Sequence, residues 1–247
     1  LGQLFCDGSA KAIVAMLLDE AAKAGVDVRT GQPVRDVTHA DGKFTVRFGD
    51  QNISAAALVI ATGGPSIPKM GATGFAYDLA RQFGLKVVEP RPALVPLTLG
   101  GDDVLFRELS GIAAPVEARA GKATFREAAL FTHRGLSGPA ILQVSSYWRH
   151  GEPVTIDLLP DAPQGWLLDA KRTRPRTTMR AALGAQLPDR LAETLAERLA
   201  LPGELGAQTD RKLADAEARL AGWIFRPNGT EGFAKAEVTV GGISTAN

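Results

Sequence analysis

Residues 57–61, Ala-Leu-Val-Ile-Ala, are apolar at every position and run directly into Thr62-Gly63-Gly64. Such a run has no face suited to water, so it predicts a strand buried on both faces, as strands of a parallel sheet are. The glycines that end it lack a Cβ, which lets backbone approach a flat cofactor or a phosphate closely. A tight turn after a core strand is the competing reading.

The flanking segments give this strand its context. Residues 10–24 predict an amphipathic helix, with Ile13, Leu17, Leu18 and Ala21 at helical spacing, Asp7 or Ser9 as cap and Gly25 as stop. Strands follow at Val26–Arg29, Val34–Val37 and Phe44–Phe48, with a tight hairpin at Asp41-Gly42. After the buried strand, the glycine-rich stretch 63–74 ends at a helix start, and the helix spans 74–83. Helix N-termini expose unpaired N–H groups that favour anionic or electron-rich ligand atoms; an ordinary helix capped by Thr73 explains the same residues.

A strand at Leu85–Val88 precedes prolines at 90, 92 and 96, where we place a domain boundary. Residues 93–160 read as short strands and turns, a small barrel or sandwich, interrupted by a helix over 139–149 after Gly138-Pro139. Residues 165–223 read as helices broken at Pro175, Pro188 and Pro202. The expected domains are therefore 1–91, an insert over 92–232 (barrel 92–162, helices 163–232) and a return segment 233–247. The opening Leu1 and the abrupt end after the β-like run Glu237–Val240 predict a segment of a longer protein.

Other chemistry finds little footing. Cys6, the single cysteine, excludes an internal disulfide and fits a reducing compartment; it reads as a small packed residue. With His39, His133 and His150 scattered, no metal set forms. No run approaches the ~20 apolar residues of a membrane helix, so we expect a cytoplasmic protein without membrane contact. In the loop Phe131–Pro139, His133 could donate a proton and Arg134 hold a carboxylate or phosphate, or both could be structural. The run Lys171-Arg172-Thr173-Arg174-Pro175-Arg176, with Arg180 beyond, is either a phosphate-backbone footprint or a solvated helix end.

Four stretches, Leu1–Asp7, Ala61–Gly64 with Ser66, Pro68 and Gly71–Gly74, Phe131–Leu142 and Ala236–Gly242, together resemble the BaiN/YhiN-type NAD(P)/FAD-dependent oxidoreductases of bacteria. The resemblance covers essentially the whole chain. It implies an α/β fold in which a partial Rossmann-like FAD domain is interrupted by a small β-barrel and a helical bundle. It places Val34 near the adenine half of FAD, Ala61, Thr62, Gly63 and Gly64 along the pyrophosphate or ribityl region, Thr73-Gly74 facing the flavin, and Gly241-Gly242 where the chain returns. The family's opening Gly-x-Gly-x-x-Gly would precede Leu1, and its closing Gly-Glu stretch would follow Asn247. The implied reaction is reduction of an electron-poor C=C bond in a ring or enone, including uridine of ribosomal RNA, with NADH or NADPH as donor. A docking module for RNA or protein, using Arg172, Arg174 and Arg176, is the alternative.

Overall fold

A computed structural model describes residues 6–246, so Leu1–Phe5 of the opening motif and Asn247 lie outside the described residues. The chain divides between Ile60 and Ala61 into two compact units.

In the first unit, Ser9 Oγ accepts the Lys11 N–H at 3.3 Å at the start of helix α1 (Lys11–Lys23), and Gly25, with φ of 73°, ends it. Its apolar residues Ile13, Val14, Leu17 and Leu18 are all exposed. The hairpin forms as its turn dictates: Asp41 and Gly42 both take positive φ, 51° and 72°, as a two-residue type I′ turn requires. Around it fold β1 (Val34–Ala40) and β2 (Lys43–Phe48), and β3 (Gln51–Ala55) completes an antiparallel meander. Val37 lies opposite Val46, and His39 opposite Phe44 with rings 4.5 Å apart, so apolar groups share one face.

Two expected strands do not form. Residues 26–29 are irregular between Gly25 and Gly31, both at positive φ. Residues 57–61 are irregular as well, and Val59 is 85% exposed. An apolar run becomes a strand only when neighbours complete its ladder, and none of the described strands pairs with it. Every described strand pair is antiparallel, so no parallel sheet is seen among the described residues.

The second unit runs α2 (Phe75–Gln82), β4 (Val87–Ala93), β5 (Leu97–Leu99), β6 (Ala113–Ala120), β7 (Ala123–Thr132), β8 (Gly135–Ser137), α3 (Pro139–Ser145) and β9 (Val154–Asp157). Helices α4 (Trp166–Thr173), α5 (Met179–Gly184), α6 (Asp189–Leu199) and α7 (Asp210–Ala221) follow, then β10 (Trp223–Phe225), β11 (Pro227–Thr230) and β12 (Val238–Ile243). β4 starts two residues later than expected and continues through Pro90 and Pro92. Among the described strands it pairs only with β12, in a two-stranded sheet, and proline is tolerated where a strand has a free edge or a bulge. The helix expected over 139–149 ends at Ser145; the Ser145 and Ser146 hydroxyls turn instead to the N–H groups of Val95 (2.9 Å) and Leu94 (3.3 Å).

Seven strands form one sheet in the order β10-β9-β6-β7-β8-β5-β11. β10 and β11 stand at opposite ends of that order, yet only Arg226 separates them in sequence. The sheet therefore curls until its edges meet at that residue, a barrel with an open seam. The Arg226 N–H is held there by Asp103 Oδ2 at 2.9 Å. Residues 223–230, expected to be helical, are thus strands that complete the barrel.

Alternate residues of β6 point inward, and Val116, Ala118, Phe131, Leu136, Ile156 and Phe225 fill the interior with the 3₁₀ stretch Gly101–Leu109. Phe106 from that stretch sits 4.9 Å from the Phe225 ring and 6.0 Å from Phe131. α6 and α7 lay Leu191, Leu195, Leu213 and Leu220 on the same core. Helix breaks fall as the prolines predict: Pro175 between α4 and α5, Pro188 just before α6, Pro202 between α6 and α7. Thr178 and Thr209 cap α5 and α7, accepting N–H groups at 3.3 Å.

Truncating the central ring tests this core. Phe106→Ala should cost about 3–5 kcal/mol in urea unfolding, the range for a fully buried aromatic; a loss below about 1 kcal/mol would show that Phe106 does not plug the barrel.

Candidate functional site

The first loop of the second unit is stitched to its last strand. Gly64 packs so closely that a Cβ there would lie 2.6 Å from Thr239 Oγ1 and 2.9 Å from the Tyr77 hydroxyl. The Ser66 and Thr239 hydroxyls are 2.8 Å apart, and the Ile67 N–H donates to the Phe233 carbonyl at 2.9 Å. Gly242 lies against the Tyr77 ring, a Cβ there meeting it at 3.4 Å, while Gly241 approaches the Glu89 carbonyl where β4 bulges. The structure thus brings Gly64, Gly241 and Gly242 together around Tyr77 and Thr239. Tyr77 carries no motif, so nothing in the sequence singles it out.

The outer side of this loop is open. Ala61, Thr62 and Gly63 are exposed, and none of the N–H groups of Ala61–Gly64 bonds to another described residue. A Cβ on Gly63 or Gly74 would meet no described atom within 4 Å. Thr73 Oγ1 accepts the Phe75 N–H at 3.3 Å where α2 begins. Free backbone donors beside open space can receive an anionic or electron-rich group.

His133 and Arg134 sit in a tight turn between β7 and β8. Thr132 Oγ1 accepts the N–H groups of Arg134 (3.3 Å) and Gly135 (3.1 Å), and the Leu99 N–H donates to the Arg134 carbonyl at 3.0 Å. The Arg134 guanidinium reaches Glu231 Oε2 at 3.2 Å, and that carboxylate side chain is only 9% exposed. His133 stands exposed at the tip, its ring bonded to no described residue. Glu231 was invisible to sequence reading because its partner is 97 positions away.

The remaining candidates belong to other elements. Val34, 41% exposed, opens β1 in the first unit opposite Phe48. Arg172, Arg174 and Arg176 are exposed at the α4–α5 corner. Arg172 lies 3.5 Å from Asp169, and Lys171 bonds Asp210 at 2.7 Å, which with its charge holds that carboxyl below the usual aspartate value. Arg174 and Arg176 meet no acid among the described residues. Cys6 is exposed rather than packed, as are the described residues 7–10 that lead into α1. No group of acidic, histidine or cysteine side chains among the described residues is placed to hold a metal, and no helix among them is long and apolar enough to cross a membrane.

An open-seamed barrel followed by a helical layer defines a class, and the comparisons name it. The profile of the "HI0933-like protein barrel and H2TH domain" matches residues 91–238, and the chain belongs to this HI0933-like family. It is 43% identical to the ribosomal RNA dihydrouridine synthase of Escherichia coli (strain K12), over 99% of its own length and 62% of that protein. With the protein of the same name from Haemophilus influenzae it shares 41% identity, over 99% of its length and 63% of the relative's. A 3-dehydro-bile acid delta(4,6)-reductase of Clostridium scindens is 27% identical over 62% of the chain and 39% of that protein. The chain thus spans somewhat under two thirds of the length of these two curated relatives.

The stitched loop makes a coupled prediction. Gly64→Ala should destabilise by about 1–3 kcal/mol through overpacking, and Thr239→Ala in the same chain should recover part of that loss. Thermal unfolding of the single and double variants measures the coupling; strictly additive costs would place Gly64 elsewhere than against Thr239.

Proposed function

We propose that this chain is the larger part of a BaiN/YhiN-type flavoenzyme that reduces uridine in ribosomal RNA to dihydrouridine, with NADH or NADPH as electron source. The observation that carries the reading is identity above 40% along nearly the whole chain to two proteins named for that reaction. Residues 1–91 and 233–247 then belong to a Rossmann-like FAD domain and 92–232 to its insert; the β4–β12 pairing, which joins 87–93 to 238–243, supports that return.

The residues present fit FAD. N–H groups at Ala61–Gly64 that bond no described residue, space at Gly63 and Gly74 clear of described atoms, and the start of α2 at Thr73 suit the phosphates and the electron-rich edge of a flavin. Val34 would serve the adenine half. Bound reduced flavin supplies hydride, the step that side chains cannot perform. The chain's own task is to hold the uracil ring and deliver a proton to the carbon beside its carbonyl. His133, exposed and bonded to no described residue, is the group for that proton.

Full-length protein should purify yellow, with a flavin spectrum bleached anaerobically by NADH or NADPH. Ribosomal RNA from cells lacking the gene should lose dihydrouridine by nucleoside mass spectrometry and regain it on complementation. His133→Ala should slow uridine reduction about 10²–10⁴-fold, the usual worth of a general acid, without slowing flavin reduction by the donor. A colourless full-length protein, or RNA unchanged by the deletion, overturns the reading.

Arg174 and Arg176, cations free of acidic partners among the described residues, favour a second reading in which the helical layer docks the RNA. Each phosphate contact releases counterions, so replacing Arg172, Arg174 and Arg176 by alanine should lower the salt slope of RNA binding by about 0.7–0.9 per lost contact. An unchanged slope assigns docking to another surface.

A further inference from the structure

We infer that Glu231 is a positioning residue that fixes the His133 turn against the glycine-rich loop 63–74, an inference that rests on the reading of His133 as the proton donor. A carboxylate only 9% exposed is costly unless a cation meets it, and Arg134, at 3.2 Å, is its ion-pair partner. The pair is fixed from both sides. Arg134 has its N–H on Thr132 and its carbonyl on the Leu99 N–H. Glu231 donates its own N–H to the Pro96 carbonyl at 3.0 Å, and the Gly232 N–H bonds Thr230 Oγ1 at 3.2 Å. Two residues on, the Phe233 carbonyl receives the Ile67 N–H at 2.9 Å. Residues 231–233 therefore form a short strut with the histidine turn at one end and the glycine-rich loop at the other.

This geometry divides the roles of two adjacent residues. The Arg134 guanidinium faces a protein carboxylate, so it acts as the anchor of the strut and not as a clamp for substrate phosphate. His133 projects from the same turn with its ring unengaged, and its place is set by a contact it does not itself make. The strut acts on turnover and not on donor use, since small displacements of a reacting group cost rate while leaving other steps intact.

The test uses the full-length protein with Glu231→Gln, which keeps size and removes charge, Arg134→Ala and the double variant. Hydrogen exchange, read by mass spectrometry without flavin or substrate, should rise in both 132–135 and 66–68 in Glu231→Gln. Uridine reduction should fall in kcat by about tenfold or more, with KM for RNA and the rate of flavin reduction by NAD(P)H unchanged. The double variant should lose no more than Arg134→Ala alone. Glu231→Asp, which keeps the charge, should recover part of the rate. Exchange confined to one segment, additive losses, or a parallel fall in flavin reduction overturns the inference. If the parent itself makes no dihydrouridine, the proposed function fails, and exchange at both ends still decides whether the strut exists.

Discussion

The second unit depends on one place where two backbones come closer than any side chain allows. Gly135 lies against β5, where a Cβ would collide with the Leu97 carbonyl and sit 2.7 Å from the Leu99 nitrogen. That approach lets β8, three residues long, bridge β7 to β5 and carry the sheet round to β11. Without it β5 and β11 would lose their link to the other strands, and the curl that brings β10 and β11 together at Arg226 would have no second edge. The same contact receives the Arg134 carbonyl on the Leu99 N–H. Barrel continuity and the geometry of the histidine turn are thus one constraint, and the scaffold positions the loop that carries the candidate chemistry.

Local rules made much of this fold legible. The Asp41-Gly42 hairpin, helix α1, the start of α2 and the proline-bounded helices α4–α7 follow from turn chemistry, capping and period, which act within a few residues. Readings that needed a distant partner failed. Residues 57–61 have the composition of a buried strand, but composition supplies no neighbours, and none of the described strands flanks them. Leu85–Val88 read as the whole strand because the sequence does not show that β4 runs on through Pro90 and Pro92 against β12, its one partner among the described strands. Residues 223–230 read as helix because three- and four-residue strands are too short to show alternation. In the site, the glycine-rich loops were visible and the contacts between them were not. Tyr77, Thr239 and Glu231 matter through partners far off in sequence, and no spacing rule reports such pairs.

Charge shows the same limit. The run from Lys171 to Arg180 reads as a block of cations, yet Lys171 meets Asp210, Arg172 lies near Asp169 and Arg180 lies 3.7 Å from Glu193. These exposed pairs add little stability, since solvent screens them. Their effect is on the surface field: the part of the block left for a polyanion narrows to Arg174 and Arg176, with Pro175 between them at the helix corner. A count of basic residues overstates attraction wherever acids one turn away, or on the next helix, answer them.

Glycine density raised the ligand reading of the loops, and the structure sorts those glycines by what each one is needed for. At Gly64 and Gly241 an added Cβ would press on Thr239 or on the β4 backbone, and at Gly242 the backbone φ of 115° calls for glycine, so the fold itself requires it at all three. At Gly63 the backbone, with φ of 70°, requires it while the space beside it stays open. Gly74 meets neither requirement: its φ is −82° and no described atom lies within 4 Å of where a Cβ would sit. The fold would accept an ordinary residue at this helix start, and glycine there weakens the helix end relative to a capping side chain. A cost without a folding reason is what close approach by a ligand would account for, and Gly74 stands beside Thr73, at the helix start where the flavin reading puts the electron-rich edge. Gly74 is therefore the glycine on which that reading rests most, although the denser cluster around Tyr77 is the one that glycine counting finds first.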